Sequence, residues 1–393
     1  MSAPRILMLN QVAGPLTWEL AEALAHALGP CAVLTDRPDE LARPESVRIA
    51  FHRAPAYRRQ NLWARGCSWS LYLVAALWWV LVRPRTCHLV LFSNPPLLPA
   101  LGWLMRQARG QRYSVVVFDA YPDVLTQLGM ISPTGLIARL WEWLNRRSYE
   151  AAELVITLSE GMAQTLRRQF NPGRTLAGKI EIIYPWVDTE AVQPIDKEHN
   201  WFAEKYALAD KLTLLYSGNM GDSHDIETII AAARILLDSP SVQFLFIGGG
   251  AKLDFVQDAI QRFGLINVAM LPWQPYSVLP YSMAAADVGV VSQAAGIDAT
   301  SIPSKACYMM AAGLAMIGIS DWGSDLSGII TRGNCGESVQ PGDVPSFVAA
   351  VLRLLDNPDL LSSRKRAARC IAEEYFSKHR NVLRIQTALE RVL

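Results

Sequence analysis

Short apolar runs alternate with longer amphipathic stretches along most of the chain. Most runs are four to six residues long and are followed by Gly, Pro or a polar residue, which is typical of buried strands in a parallel sheet. The predicted strands are Ile6–Leu9, Ala32–Thr35, Leu89–Phe92, Val115–Phe118, Leu154–Thr157 and Ile180–Ile183 in the first half, and Leu212–Tyr216, Val242–Ile247, Val268–Leu271, Asp287–Val291 and Ala315–Ile319 in the second. The alternation predicts an α/β protein, and its 393 residues suffice for two doubly wound domains.

One segment breaks this pattern because it is apolar on all sides. Cys67–Val82 is uncharged and contains Trp69, Trp78 and Trp79. It is shorter than the roughly 20 residues that cross a bilayer, and Arg58, Arg59 and Arg65 precede it. A buried core helix, a helix that contacts an anionic membrane surface and a spanning helix all remain open, although the length disfavours the last.

Charge and cysteine content exclude several classes of protein. The formal net charge is +1, which argues against an electrostatic nucleic-acid binder. The distribution is uneven, since the stretch between Glu45 and Asp119 contains ten Arg, no Lys and no acidic residue. Six scattered Cys without a C-x-x-C motif indicate core thiols in a reducing compartment rather than disulfides or a zinc site. The N-terminal residues lack the apolar segment of a signal peptide, so we expect a cytosolic protein.

A glycine-rich turn follows the first predicted strand of the second half. Leu212–Tyr216 leads through Gly218, Asn219 and Gly221 into a predicted helix that begins near Asp225. A strand, a tight turn and a helix start can bring backbone N–H groups and a positive helix end to a phosphate. An ordinary turn is the alternative. The spacing is not G-x-G-x-x-G and no acidic partner follows, which excludes a nicotinamide site.

Several motifs together resemble one enzyme family. They are SGNMGDSHD (217–225), FLFIGGGA (244–251), LPWQPYSVLPYSMAAADVGVV (271–291) and SIPSKACYMMAAG (301–313) in the second half, and FDAYPDVLTQLGMI (118–131), ITLSEGM (156–162) and PWVD (185–188) in the first. The chain resembles family-4 glycosyltransferases of the GT-B fold. It is most similar to the bacterial branch that builds surface polysaccharides, in the manner of fucosaminyl- and fucosyltransferases.

The resemblance implies two Rossmann-like domains that face each other across a cleft. We expect an acceptor domain over 1–190, with a tail helix at 375–393 that packs back on it, and a donor domain over 200–374. The implied reaction is retaining and metal-independent, with a UDP- or GDP-linked sugar as substrate and no cofactor. From the Arg- and Trp-rich segment we also expect a lipid-linked glycan acceptor and a peripheral location on the cytoplasmic face of the plasma membrane. A non-catalytic scaffold or partner subunit is the main alternative, and an epimerase is a third.

The resemblance also assigns donor-side residues. Lys305 stands after Ser304 in the place where the family sets a Lys on the donor phosphates, and Trp273 with Gln274 stands where the base is contacted. The implied donor-binding set is Gly218, Asn219, Gly221, His224, Gly249, Gly250, Trp273, Gln274, Ser304, Lys305 and Tyr308. Each has a structural alternative: Lys305 as a solvated surface residue, His224 as a capping residue and Trp273 as a core residue.

The chain departs from the family pattern at three places. Asn219 and His224 stand where many relatives have Arg and Lys, and a protonated His224 could restore part of that charge. Tyr308 replaces the second Glu of the E-x7-E element, whose first position falls near Ser301. On the acceptor side the usual His is absent, so Asp119 is expected nearest the acceptor hydroxyl, with Asp119 or Asp123 as loop caps the alternative. The other implied acceptor-side residues are Asn10, Gln11, Gly14 and Asp123.

Overall fold

The protein folds into two compact units. The computed structural model describes residues 4–36, 49–58, 60, 62–127, 130–168, 178–296 and 302–393. The first unit comprises Met1–Tyr184 together with Asn381–Leu393, and the second comprises Pro185–Arg380. Both contain a parallel sheet between helices, in agreement with the α/β alternation of the sequence.

The described part of the first unit contains a seven-stranded parallel sheet in the order β3-β2-β1-β4-β5-β6-β7. Its strands are β1 (Ile6–Leu9), β2 (Cys31–Thr35), β3 (Ile49–Arg53), β4 (His88–Phe92), β5 (Tyr113–Val117), β6 (Leu154–Thr157) and β7 (Ile180–Ile182). The central strands are buried on both faces, which explains their continuous apolar sequence. The strand order reverses between β1 and β4, the point at which open α/β sheets bind ligands.

Helices connect these strands. They are α1 (Pro15–Leu28), α2 (Leu62–Leu81), α3 (Leu98–Arg109), α4 (Asp123–Gln127), α5 (Leu136–Ala151) and α6 (Glu160–Arg168). A C-terminal helix, α15 (Lys378–Glu390), returns to this unit. Within the unit, Arg384 donates to the Ile182 carbonyl at 2.8 Å and Asn381 donates to the Tyr184 carbonyl at 3.1 Å. The tail helix is therefore attached to the β7 edge of this unit by side-chain hydrogen bonds.

The helix α2 is buried along one face and exposed along the other. One face is in the core, where Tyr72, Ala76 and Val80 are fully buried. The opposite face is apolar and exposed, with Trp63 at 86% and Trp78 at 69% exposure. Within the described residues, no helix has the length and apolar character needed to span a membrane.

The second unit repeats the architecture with a six-stranded parallel sheet among its described residues, in the order β10-β9-β8-β11-β12-β13. Its strands are β8 (Leu212–Asn219), β9 (Val242–Gly249), β10 (Val268–Leu271), β11 (Val288–Ser292), β12 (Ala315–Ile319) and β13 (Gly336–Val339). Its helices are α7 (Trp201–Lys205), α8 (Glu227–Ile235), α9 (Leu253–Phe263), α10 (Leu279–Ala284), α11 (Ser304–Ala311), α12 (Asp325–Arg332), α13 (Val344–Leu355) and α14 (Pro358–Tyr375). The strand order reverses between β8 and β11, so β8 ends at the predicted ligand position.

Candidate functional site

The glycine-rich turn at the end of β8 is built by close backbone approach to β9. Gly218 pairs with Gly248, and a Cβ on Gly248 would lie 2.1 Å from the Gly218 carbonyl oxygen. Gly250 has φ +147°, and its Cβ would lie 2.6 Å from the Met220 carbonyl oxygen. Only glycine fits both positions without strain. The predicted donor residues Gly218, Gly249 and Gly250 therefore lie together at the carboxyl ends of two adjacent strands.

Lys305 reaches this turn from the start of α11. Its Nζ donates to the Tyr216 hydroxyl at 2.9 Å and lies 4.3 Å from the centre of the Tyr216 ring. A Cβ on Gly218 would lie 3.5 Å from the same nitrogen. Burial lowers the pKa of Lys305 to about 7, since desolvation disfavours the charged form. Lys305 is thus a half-buried amine beside the glycine turn, partly protonated near pH 7, and not a solvated surface residue.

Tyr216 was not predicted to belong to the site. It is buried, and its hydroxyl accepts from Lys305 while donating to the Asn219 carbonyl at 2.7 Å. Its ring packs against Phe246 and stands edge-on to His224. The available signal was its place in β8, two residues before Gly218, where strand alternation puts both on one face. Tyr216 thereby holds the cation and the end of the strand in one hydrogen-bonded arrangement.

His224 lies beside the turn, but it does not restore the missing charge. Burial, then the positive charges of Lys305 and Lys252, lower its pKa to about 4. Its imidazole is therefore neutral near pH 7, so His224 does not supply the charge that a protonated ring would have added. Ser223 Oγ lies 3.3 Å from His224 Nδ1. The neutral ring therefore acts as a hydrogen-bonding group near the start of α8 and not as a cation.

Lys252 is a second cation that the sequence did not single out. Its Nζ donates to the His224 carbonyl at 2.7 Å and pairs with Glu227 at 2.8 Å. Its own N–H donates to the Met220 carbonyl at 2.8 Å. The residue comes shortly after the Gly248-Gly249-Gly250 turn, so the start of α9 is tied to the loop after β8.

Asp225 has a structural role next to these groups. Its carboxylate accepts from the Thr228 N–H at 2.9 Å, as an N-terminal cap does, and from the Gly342 N–H at 2.9 Å. The bond to Gly342 fixes the loop after β13 to the start of α8. The helix start predicted near Asp225 is therefore present, with α8 beginning at Glu227.

The predicted base-contact residues follow β10. Trp273 is 61% exposed, and its Nε1 would lie 3.3 Å from a Cβ on Gly249. It is thus not a core residue. Gln274 donates to the Pro272 carbonyl at 2.8 Å. An open cavity of about 470 Å³ adjoins this edge, and its described lining is Gly248, Leu253, Gln257, Ile260, Gln261, Met270, Leu271 and Pro272.

The remaining predicted donor residues are on α11 or just before it. Ser304 is the first residue of α11 and is exposed, and Tyr308 is half-buried one turn later. Ser301, where the first acidic position of the family element falls, lies outside the described residues. The structure brings Lys305 to the glycine turn, and it places Tyr308 on the same helix.

The predicted acceptor-side residues after β1 divide into two kinds. Asn10 and Gln11 are buried, with Asn10 donating to Thr17 Oγ1 at 2.7 Å and Gln11 donating to the Ser68 carbonyl at 3.1 Å. These bonds hold the loop and attach it to α2. Gly14 precedes α1, and a Cβ there would have nothing within 4 Å. Of the three, Gly14 leaves room for a ligand.

Asp119 follows β5 and is exposed. The Ser93 hydroxyl accepts from the Phe118 and Asp119 N–H groups at 2.9 and 3.1 Å, which fixes the turn between the two strand ends. Asp123 begins α4 and is half-buried. Both carboxylates thus lie at the carboxyl edge of the first sheet, the position at which such sheets present reactive groups.

The predicted membrane-contact residues require one correction. Trp79 faces the core, where it is 7% exposed with the Arg83 guanidinium 3.9 Å from its ring centre. Trp78 and Arg58 are exposed, and Trp69 is half-buried beneath Arg65 at 5.4 Å. Adjacent Trp residues on a helix point about 100° apart, so they could not share one exposed face. Arg59 lies outside the described residues.

Two family models match most of the chain. Residues 13–185 match the glycosyl transferase 4-like domain, and residues 198–371 match the glycosyl transferases group 1. The chain belongs to the family-4 glycosyltransferases. Its two parallel-sheet domains give this glycosyltransferase the GT-B fold.

Two sequences similar to this glycosyltransferase come from bacteria. It is 26% identical over 287 residues to the probable glycosyltransferase WbjE of Pseudomonas aeruginosa, covering 73% of this chain and 70% of that protein. It is 28% identical over 297 residues to the putative colanic acid biosynthesis glycosyl transferase WcaI of Escherichia coli, covering 74% and 70%.

The fold of this glycosyltransferase is also found in solved structures. The Anabaena protein HepE in complex with UDP superposes with a TM-score of 0.73, at 16% identity, over 98% of this chain and 100% of that chain. Among the described residues of this glycosyltransferase, no group of three or more His, Cys, Asp or Glu side chains is arranged to hold a metal ion.

Proposed function

We propose that this glycosyltransferase moves a sugar, with retention of configuration, from a UDP- or GDP-linked donor to a lipid-linked glycan acceptor in bacterial polysaccharide biosynthesis. The observation that carries the proposal is the pairing of Lys305 with the glycine turn at the end of β8. The half-buried Lys305, the backbone of the glycine turn and the start of α11 suit a leaving diphosphate, because each of the three favours negative charge.

The chemistry assigned to these residues follows from where charge develops. The bond between the sugar C1 and the diphosphate oxygen breaks, and a bond from C1 to the acceptor oxygen forms. Negative charge accumulates on the leaving oxygen, and a protonated Lys305 would stabilise it without a metal ion. In this proposal Asp119 accepts a hydrogen bond from the attacking hydroxyl and orients it. As the new bond forms, the proton of this hydroxyl leaves its hydrogen bond with Asp119 and passes to the departing diphosphate oxygen.

The substrate class has three lines of support. WcaI carries a name that refers to colanic acid, a polysaccharide, and HepE binds UDP. The first unit supplies the Arg- and Trp-rich segment, whose chemistry suits a lipid-linked acceptor at the cytoplasmic face of a membrane. The exposed Trp273 beside Gly249 offers a surface for the nucleoside.

Turnover measurements test the proposal. The purified protein is incubated with UDP- and GDP-sugars and a lipid acceptor extracted from bacteria, and the released nucleotide is measured. We expect release that depends on the acceptor and a loss of about a hundredfold or more for Lys305→Ala. A rate near that of the wild type in this variant would reject the phosphate role of Lys305.

Two other outcomes would favour the alternatives. No release with any donor would point to a non-catalytic scaffold. Conversion of the donor without an acceptor would point to an epimerase. Stereochemical analysis of the product by NMR decides between retention and inversion.

A further inference from the structure

A stripe of exposed apolar side chains runs along α2. Trp63, Cys67, Leu71, Val74 and Trp78 recur at helical spacing on the face opposite the core, and all are exposed. With a rise of 1.5 Å per residue the stripe is about 22 Å long. Single exposed apolar residues are common on proteins, but a continuous row of them marks an interaction surface.

A second stripe of exposed apolar side chains lies on α5. Leu136 is 81% and Ile137 is 65% exposed. Leu140 and Trp143 continue the same face through the next two turns and are also exposed. The buried side of α5 is formed by other residues, including Ala138 and Tyr149. The exposed apolar residues of α5 therefore do not contribute to the core.

Aromatic contacts place the two stripes in one layer of helices. Trp69 of α2 stands edge-on to Tyr121 at 6.3 Å between ring centres, and Tyr121 stacks on Trp141 of α5 at 5.9 Å. Farther along, Trp103 of α3 meets Trp143 at 5.7 Å. The N-terminal halves of α2 and α5 thus lie on either side of Tyr121, and the two stripes begin at the same end of the layer.

The charges around the α2 stripe are all positive, whereas α5 carries three Arg and two Glu. Arg58 and Arg65 lie at the start of α2, and no acidic residue occurs between Glu45 and Asp119. On α5, Arg139 and Arg147 are exposed, and the Arg147 guanidinium lies 5.8 Å from the Trp143 ring centre. Glu142 and Glu150 are the acidic residues of α5, and both are half-buried. Apolar and Trp side chains edged by Arg complement the phosphates and acyl chains of an anionic bilayer.

A groove on α2 adds a second observation. It has a volume of about 670 Å³, and its described lining consists of Trp63, Gly66, Cys67, Ser70 and Leu71. The absence of a side chain at Gly66 leaves the space between Trp63 and Ser70 open. A groove with a mainly apolar lining on the exposed face suits a hydrocarbon chain better than a sugar.

We propose that α2 and α5 together form a docking face for an anionic lipid bilayer. The apolar residues of both stripes enter the region below the headgroups, an acyl chain occupies the α2 groove, and the flanking Arg bind lipid phosphates. This inference rests on the proposed function for its biological sense, since it concerns the membrane that holds the acceptor. The sequence pointed only to the segment of α2 as a membrane contact, and the docking face proposed here includes α5 as well.

The docking face lies next to the proposed acceptor residue. The Tyr121 N–H donates to the Asp119 carbonyl at 3.2 Å, and the Tyr121 ring is the contact that joins α2 to α5. A lipid-linked acceptor whose chain lies among these two helices would present its headgroup near Asp119. The bilayer then supplies the acceptor from the side on which Asp119 is exposed.

Vesicle flotation tests the two-helix face. The wild type is compared with Leu71→Glu on α2, with the pair Ile137→Glu and Leu140→Glu on α5, and with Ile266→Glu as a control. Ile266 is 87% exposed and belongs to the second unit, so Ile266→Glu makes the same kind of substitution away from α2 and α5. With vesicles of phosphatidylglycerol and phosphatidylcholine, we expect the α2 and α5 variants each to bind at least tenfold less and the control to bind as the wild type does. Undiminished flotation of the α5 variant would overturn the proposal.

Two exposed cysteines allow an independent measurement that leaves the Trp, Leu, Ile and Val side chains of the docking face unaltered. Cys67 lies in the α2 groove and Cys370 in the second unit, whereas Cys31, Cys87, Cys307 and Cys335 are buried. An environment-sensitive fluorophore on Cys67 in Cys370→Ser should shift to the blue with anionic vesicles and be quenched by acyl-chain nitroxides. The same fluorophore on Cys370 in Cys67→Ser should not respond. A response of both labels, or of neither, would contradict the proposal.

The remaining outcomes separate this inference from the proposed function. Dimerisation without lipid, abolished by the same α2 and α5 variants, would assign the face to a second copy of the chain instead of a bilayer. Vesicle binding without any sugar transfer would reject the proposed function and keep the docking face. Transfer to a short-chain soluble acceptor should be unchanged in the α5 variant, while transfer to an acceptor in vesicles should fall in parallel with binding.

Discussion

The Lys305 ammonium lies 2.9 Å from the Tyr216 hydroxyl and 4.3 Å from the centre of the Tyr216 ring. Both contacts favour a cation, but neither supplies a full negative charge, so desolvation outweighs them and the pKa falls to about 7. A donor diphosphate at this position would provide the missing charge. Binding of the donor and protonation of Lys305 are therefore coupled.

The first prediction concerns the pH dependence of UDP binding. Since a bound diphosphate raises the pKa of Lys305, affinity is full below pH 7 and is lost as pH rises toward the higher pKa of the complex. We expect Kd to increase about tenfold per pH unit above pH 7. Calorimetry in two buffers of different ionisation enthalpy should show proton uptake at pH 8. Lys305→Arg is the control, because its guanidinium stays protonated and should flatten the profile.

The second prediction concerns stability. The folded pKa of Lys305 is below that of the unfolded chain, so the buried charge destabilises the protein fully below pH 7 and progressively less between pH 7 and 10.5. Lys305→Met should stabilise the second unit by about 1–4 kcal/mol at pH 6 while abolishing transfer. Urea unfolding at pH 6 and pH 10 measures this gain. A gain that does not shrink at the higher pH would contradict the coupling.

The third prediction concerns Tyr216. Tyr216→Phe keeps the ring but removes the hydroxyl that accepts from Lys305 and donates to the Asn219 carbonyl. We expect a loss of about 1–2 kcal/mol in stability and weaker UDP binding by about tenfold. Phe246→Leu serves as the packing control, since it lowers stability without touching the hydroxyl. Equal effects of both variants on UDP affinity would show that packing alone matters.

The fourth prediction concerns His224. Because its pKa is lowered to about 4, the imidazole contributes no charge at neutral pH. His224→Gln removes no charge, so it should change the Kd for UDP by less than about threefold, which corresponds to about 0.7 kcal/mol. Any change in the Kd of the wild type between pH 5.5 and 6.5, where the terminal phosphate of UDP itself titrates, should be the same in the variant. An inflection in that interval that disappears in the variant would indicate a protonated His224 in the complex.

The fifth prediction concerns the glycine turn. A Cβ on Gly250 would lie 2.6 Å from the Met220 carbonyl oxygen, and its φ of +147° strains any other residue. Gly250→Ala should cost at least about 2 kcal/mol in stability and weaken UDP binding. Gly66→Ala in α2 is the control, because a Cβ there meets nothing within 4 Å and should stabilise the helix.

Much of the fold was predictable from the sequence, because buried parallel strands require continuous apolar runs. All eleven strands predicted from such runs are present. The strands missed were the less apolar ones: β3 contains His52 and Arg53, and β13 contains Glu337 and Ser338. Both are edge strands of their sheets, so one side is open and their sequence is less constrained.

The site was less predictable, because its key features depend on contacts distant in sequence. The motif that marked Lys305 gave no sign of its partner Tyr216, which is 89 residues away. The pKa of His224 depends on burial and on two lysines from other elements. The α5 stripe was missed for a related reason. Its apolar residues fit a core-facing helix equally well, and only the packing reveals which face is exposed.

The Arg-rich segment has one more consequence. The whole chain contains 37 Lys and Arg and 36 Asp and Glu, and ten of the Arg lie between Glu45 and Asp119. The rest of the chain therefore holds 27 basic and 36 acidic residues. A near-neutral protein is thus divided into a cationic segment and an anionic remainder. An anionic surface attracts the cationic segment and repels the anionic remainder, and this bias would weaken as salt shortens the Debye length.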